Sequence, residues 1–159
     1  DKAILDILKE MGSKVRVSND CVEVEGEQLN AIDLDAKNIP DLVPVCAVLA
    51  CYSRGTSKIY NAKRLRYKES DRLFSLHAEL NKMGAEIMVK EDGLVITGPC
   101  KMHGTTIDPH NDHRIAMACA VAALAASGET KIQNSECVNK SYPRFFDDLR
   151  LLGANIVGR

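Results

Sequence analysis

The sequence predicts an α/β fold made of tandem units of about 72 residues, with apolar helices buried against small sheets. Three observations carry this expectation. First, "ILDILKEMGSKV" (4–15) returns as "LHAELNKMGAEI" (76–87) and again as "FFDDLRLLGANI" (145–156). Each copy places apolar residues at helical spacing, then a glycine where a helix would close, then a residue opening a strand. Second, "CAVLACYSRGTSKIYN" (46–61) matches "CAVAALAASGETKIQN" (119–134) at a constant offset of 73. Third, Lys68 corresponds to Lys140, and "RLF" (72–74) to "RFF" (144–146), at an offset of 72. Two units are visible, and a third is begun at the end of the chain.

The elements follow in order. The chain opens on "DKAILDILKEMG", an amphipathic helix with no lead-in, which reads as a start inside a larger protein. "KVRVS" (14–18) and "CVEVEG" (21–26) alternate as a half-buried hairpin would, and "NAIDLDA" (30–36) offers a further strand. A small, almost wholly apolar helix is expected near 41–54, with its counterpart at 113–127, and both should be buried. "TSKIYNA" (56–62) and "TKIQNS" (130–135) are the strands that follow them. A helix starting near Ser70 and a terminal helix with Pro143 in its first turn complete the pattern. No Gly-rich dinucleotide fingerprint follows any strand, so ordinary Rossmann topology is disfavoured.

Composition removes several function classes. The 159 residues are 45% hydrophobic, enough for a real core, and 21 basic against 22 acidic residues leave a net charge of -1. A nucleic-acid or membrane-surface binder would show a broad basic excess. No apolar run approaches the roughly 18 residues of a membrane span, and no signal-like segment opens the chain. The six cysteines (Cys21, Cys46, Cys51, Cys100, Cys119, Cys137) form no C-x-x-C pair and read as reduced thiols in a cytoplasmic protein.

Candidate chemistry lies at three junctions between units. Asp41 in "NIPDLVP" and Asp112 in "PHNDHRIAM" each precede an apolar helix, where an N-cap is the structural explanation. Asn111, His113 and Arg114 stand beside the second cap, and an arginine leading an apolar helix must face a cleft or a partner. The second junction is "RLRYKESDRLF" (64–74), with six charged side chains in eleven positions. Lys68, Glu69 and Arg72 crowd the entry of a helix, which favours an anion site over a solvated face. Asp71 is explained by the helix dipole or by an ion pair with Arg72. The third junction is "NKSYPRFF", where Lys140 repeats Lys68 and becomes a second anion contact. His110, Asp112 and His113 lack a further ligand at metal spacing, so no metal is expected. His77 and His103 read as surface residues.

"KESDR" (68–72), "NDHRIAM" (111–117), "IPD" (39–41) and "KSYPRFF" (140–146) resemble, in order and spacing, the C-terminal part of the 5-enolpyruvylshikimate-3-phosphate synthase family. The resemblance implies that 1–159 is part of one enolpyruvyl transferase domain, an inside-out α/β barrel of three similar units, with the N-terminal domain absent. It implies transfer of the enolpyruvyl group of phosphoenolpyruvate to the 5-hydroxyl of shikimate 3-phosphate, releasing phosphate, with no metal or organic cofactor. Glu69 would then exchange a proton at the methylene carbon, and Asp41 with Lys68 would activate the 5-hydroxyl. Arg72 and Arg114 would grip the phosphoenolpyruvate carboxylate, Lys140 would meet the phosphate, and Asp112 and His113 would shape the site. Arg64 stands where some members carry an asparagine that holds shikimate 3-phosphate. A cytoplasmic monomer is implied at full length, and the chain alone is expected to fold but to be inactive. Two other readings remain: a UDP-N-acetylglucosamine enolpyruvyl transferase, and a non-catalytic binding or scaffold domain.

Overall fold

The computed structural model describes residues 2–26 and 28–158. Helix α1 (Ala3–Glu10) leads into strands β1 (Lys14–Val17) and β2 (Val22–Glu25). Strand β3 (Asp33–Asp35), a short 3-10 turn at Pro40–Leu42, helix α2 (Val43–Tyr52) and strand β4 (Gly55–Tyr60) follow. A 3-10 segment at Lys63–Tyr67 then enters helix α3 (Arg72–Lys82), which is followed by the hairpin β5 (Glu86–Lys90) and β6 (Gly93–Gly98). The last section holds β7 (Thr106–Ile107), α4 (His113–Ala123), β8 (Lys131–Ile132), a 3-10 segment at Ser135–Lys140 and α5 (Phe145–Leu151).

The repeat is present in the backbone. β3 and β4 pair in parallel around α2, with Asp33 opposite Lys58; β7 and β8 do the same around α4, with Thr106 opposite Lys131. Both partners of that register shift by 73 residues, as do the flanking bridges Asn30–Arg54 and His103–Ser127. Asn61 and Asn134 leave the equivalent strands with positive φ of 57° and 45°. The three helix-closing glycines, Gly12, Gly84 and Gly153, take φ of 100°, 94° and 98°, the left-handed geometry expected of them. At Gly84 a side chain is also excluded by space, since a Cβ would lie 2.8 Å from the Lys101 carbonyl oxygen.

The main sheet runs β3-β4-β6-β5, with the first pair parallel and the others antiparallel. α2 is buried on nearly every side because its residues are small and apolar all round, so it packs on both the sheet and α4. Tyr52 at its end donates its hydroxyl to the Ala122 carbonyl at 2.7 Å, tying the two central helices together. A satellite cluster of Ala116, Ala120, Val138 and Phe145 seats α5 against α4.

Several boundaries and one burial expectation change. α4 ends at Ala123 rather than 127 because Leu124, Ala125 and Ala126 donate to carbonyls three residues back, tightening the last turn. β3 and β8 are shorter than the stretches 30–36 and 130–135 suggest. The expected β1–β2 hairpin forms, with Lys14 opposite Glu25, but it is exposed rather than half-buried, with Val17, Val22 and Val24 at 58%, 49% and 50% exposure. Its counterpart, β5–β6, is continued by β4; among the described residues no strand continues β2 in that way.

Candidate active site

The three junctions meet at one place. Arg72, the first residue of α3, is only 1% exposed, and its guanidinium is shared among three carboxylates. Nε donates to Asp112 at 2.8 Å, Nη1 to Asp41 at 2.9 Å and Nη2 to Glu69 at 2.6 Å. Asp71 is the N-cap of α3, accepting from the Phe74 N–H at 3.1 Å, which sets the direction in which the helix launches Arg72. The ion pair of Asp71 is with Arg66, at 2.8 Å, and not with Arg72. Arg66 also donates to the carbonyls of Lys90 and Glu91, which fastens the helix entry to the β5–β6 turn.

Around Arg72 stand three further cations. Lys68 lies 3.5 Å and Arg114 3.3 Å from the Asp41 carboxylate, and Lys140 lies 2.7 Å from Glu69. Four cations against three carboxylates leave the cluster positive, a field suited to an anionic ligand. Lys68, Arg114 and Lys140 are 29%, 28% and 58% exposed at the side chain, so solvent and ligands reach them. Arg72 differs. Its nitrogens are held by the buried Asp112 and by the partly buried Asp41 and Glu69.

Asp112 is fully buried and performs two jobs. It caps α4 by accepting from the Arg114 N–H at 2.9 Å, and it holds Arg72, with Ser70 Oγ donating to it at 3.1 Å. Asp41 is not the equivalent cap. It lies in the 3-10 turn one step before α2, and no side chain caps that helix. At the 73-residue offset of the strands, Asp41 corresponds to Arg114, and the two side chains pair with each other. His113 opens α4 at 5% exposure, and its Nδ1 has no hydrogen-bond partner among the described residues. Arg64 is exposed on the 3-10 segment, outside this network.

The charges tune one another. The hydrogen bond from Lys140, with help from Arg72, holds the Glu69 carboxyl down at about 2. Partial burial pushes Asp41 upward, but Arg114, Lys68 and Arg72 together outweigh it and keep that carboxyl below its ordinary value. His113 is shifted downward because burial outweighs the pull of Asp112 and Glu69, which favours the neutral ring. Glu69 and Asp41 are therefore bases in the free site.

Beside Glu69 and Lys140 lies an open cavity of about 420 Å³, lined also by Asn111, Asn134, Glu136 and Cys137. Asn134, Glu136 and Cys137 escaped the sequence reading, as did Ser70. One signal was available: Asn134 repeats Asn61 at the constant offset, and both leave a strand in the left-handed region. His77 was expected at the surface, but its Nδ1 lies 2.8 Å from the Ile87 carbonyl between α3 and β5. All six cysteines are free, and burial pushes the Cys46 and Cys119 thiols up to about 12, which leaves them inert as nucleophiles. No helix among the described residues is long and apolar enough to cross a membrane.

A repeated α/β unit gathers lysines, arginines and carboxylates from its helix entries beside a cavity, an arrangement suited to small anionic ligands. The sequence profile of EPSP synthase (3-phosphoshikimate 1-carboxyvinyltransferase) matches residues 1–149. The chain belongs to the EPSP synthase family. The 3-phosphoshikimate 1-carboxyvinyltransferase of Methanocaldococcus jannaschii is 50% identical over 157 residues, covering 98% of this chain and 37% of that protein. The Clostridium novyi protein of the same name is 49% identical over 156 residues, covering 98% and 36%. Among solved structures, EPSP synthase from Acinetobacter baumannii superposes with a TM-score of 0.85 at 30% identity, covering 94% of this chain and 38% of that one. The enolpyruvyl transferase NikO from Streptomyces tendae does so with 0.81 at 28% identity, covering 97% and 35%. The chain spans a little over a third of the length of the curated relatives it matches.

Proposed function

We propose that this chain carries one half of the active site of a 3-phosphoshikimate 1-carboxyvinyltransferase, working in the cytoplasm on phosphoenolpyruvate and shikimate 3-phosphate. The observation that supports it best is the continuous network Lys68–Asp41–Arg72–Glu69–Lys140, which sets two ionised carboxylates among exposed cations beside a cavity. Addition of a hydroxyl across an enol double bond needs a base at the oxygen and a proton donor at the methylene carbon. In this reading Asp41, held by Lys68, takes the proton from the 5-hydroxyl. Glu69 serves the carbon. Lys140 and Arg114 meet the phosphate and the carboxylate, as exposed cations can. Asp112 and His113 support Arg114 from the start of α4, and Arg72 holds Asp41, Glu69 and Asp112 in place.

Lys140 gives Glu69 its dual role. A substrate phosphate that draws Lys140 away removes the largest influence holding the Glu69 carboxyl down, and the group becomes a better proton donor only when the site is filled. Elimination of phosphate then returns the proton from carbon to Glu69 and forms the enolpyruvyl ether. The remaining contacts to shikimate 3-phosphate belong to the N-terminal domain of the full enzyme, which acts as a monomer with no metal or organic cofactor.

The test is a graft in which this chain replaces its matching segment in the Methanocaldococcus jannaschii relative. Phosphate release from the two substrates, abolished by Glu69→Gln, is the expected outcome. A folded graft that releases no phosphate, while the parent does, sinks the reading.

A further inference from the structure

We propose that Glu79, seven residues beyond Arg72 on the same buried face of α3, is a positioning residue that holds the entry of α4 in its working orientation. Glu79 is 1% exposed. Its Oε2 accepts from the Asp108 N–H at 3.0 Å, its Oε1 lies 3.1 Å from His110 Nε2, and Lys82 donates to both oxygens at 2.8 and 2.9 Å. The segment it grips is the turn that delivers Asp112 and Arg114.

That turn has little to hold it by itself. His110 and Asn111 are consecutive non-glycine residues with φ of 53° and 54°, a conformation that persists only where the surroundings impose it. Within the turn, the His110 N–H donates to Asp108 at 2.8 Å, and the Asp112 N–H donates to the Pro109 carbonyl at 2.9 Å. Glu79 closes it from outside. Two turns earlier on α3, Arg72 binds Asp112 directly. At about 1.5 Å rise per residue these attachment points are roughly 10 Å apart along one helix, so together they fix both the position and the direction of the α4 entry. A single ion pair at Asp112 would fix only its position.

The inference rests on the proposed enzymatic reading for its kinetic consequence, but not for its structural one. In the 159-residue chain, Glu79→Ala should shift the Arg114 backbone amide resonance and speed its hydrogen exchange, because that amide is held by the Asp112 cap. The amides of the β4–β6 ladder should stay protected. Glu79→Gln keeps an acceptor for the Asp108 N–H and a donor toward His110, and should restore the Arg114 amide. In the grafted enzyme, Glu79→Ala should lower kcat/KM at least about tenfold, chiefly by raising KM for phosphoenolpyruvate, with Gln rescuing it. A folded Glu79→Ala chain with an unchanged Arg114 amide overturns the proposal. Should the alanine variant not fold, Glu79→Met fills the space without the acceptors; loss of β4–β6 protection there too makes the role one of global stability and overturns it equally. An inactive wild-type graft counts against the enzymatic reading alone and leaves the amide measurement to judge Glu79.

Discussion

Arg72 and Arg144 occupy the same place in successive repeat units, each opening the "R-x-F" entry of a helix, yet they live in opposite environments. Arg72 is 1% exposed and binds Asp41, Glu69 and Asp112, whereas Arg144 is 73% exposed with one pair to Asp148 at 3.4 Å. The repeat supplies the position of the cation. Its acids come from elsewhere: Asp112 and Asp41 reach Arg72 from the starts of α4 and α2, and Glu69 from its own turn. The site therefore forms where helix entries of neighbouring units converge, and one unit on its own could not build it.

The sharpest way to break this comparison is to delete each arginine in turn. Arg72→Ala leaves Asp112 buried without its charge partner, a loss of about 3–5 kcal/mol of stability. Arg144→Ala removes one exposed pair and should change stability by less than about 0.5 kcal/mol. Urea unfolding of both variants decides it. Equal effects would mean that burial does not distinguish the two positions.

Next in size is the chemistry that the buried arginine organises. Glu69→Gln keeps the shape and the acceptor for Arg72 but cannot exchange a proton with carbon, so kcat in the grafted enzyme should fall about 10²–10³-fold. A near-normal kcat would assign proton transfer elsewhere and reduce the network to a structural one. Smaller again is the helix entry. Asp71→Ala loses the cap on the Phe74 N–H and should cost about 1 kcal/mol. The terminal helix α5 has no side-chain cap at Arg144, so alanine there should show no comparable loss on thermal unfolding.

Much of this was legible in the sequence, and the reasons are physical. The buried helices announced themselves because small apolar residues on every face have no other stable place, and the offset of 73 survives as strand register. Lys68, Glu69, Asp112 and Lys140 could be singled out because charge at a helix entry is unusual next to apolar runs. What could not be read was which cation goes inside. Arg72, Arg114 and Lys140 look alike in a string, and only the convergence of three carboxylates on Arg72 buries it. Asp41 and Asp112 likewise share an apparent N-cap setting, but the 3-10 turn at Pro40–Leu42 takes Asp41 out of capping position. The exposure of the β1–β2 valines was hidden because alternation reports which face is apolar and not what covers it.

The smallest expected effect concerns the exposed end of the network, where Lys140 meets Glu69. The Glu69 carboxyl is held at about 2, against an ordinary value of 4.5. A depressed folded-state value means that the folded chain resists protonation more than the unfolded one does. The stabilisation from this carboxylate is therefore complete above about 4.5, declines as pH falls through that value, and is gone once pH drops below about 2. Lys140 is 58% exposed, so solvent and salt weaken the link and the gain is small. Comparing wild type with Lys140→Ala by urea unfolding between pH 6 and pH 2 isolates it: the stability difference should be steady near neutrality and shrink through the acid window. Arg144 with Asp148 is the control, being an exposed pair for which no such Glu69 shift enters. A Lys140→Ala difference that stays constant down to pH 2 would show that Arg72 alone holds the Glu69 carboxylate, and that Lys140 is free for a ligand from the start.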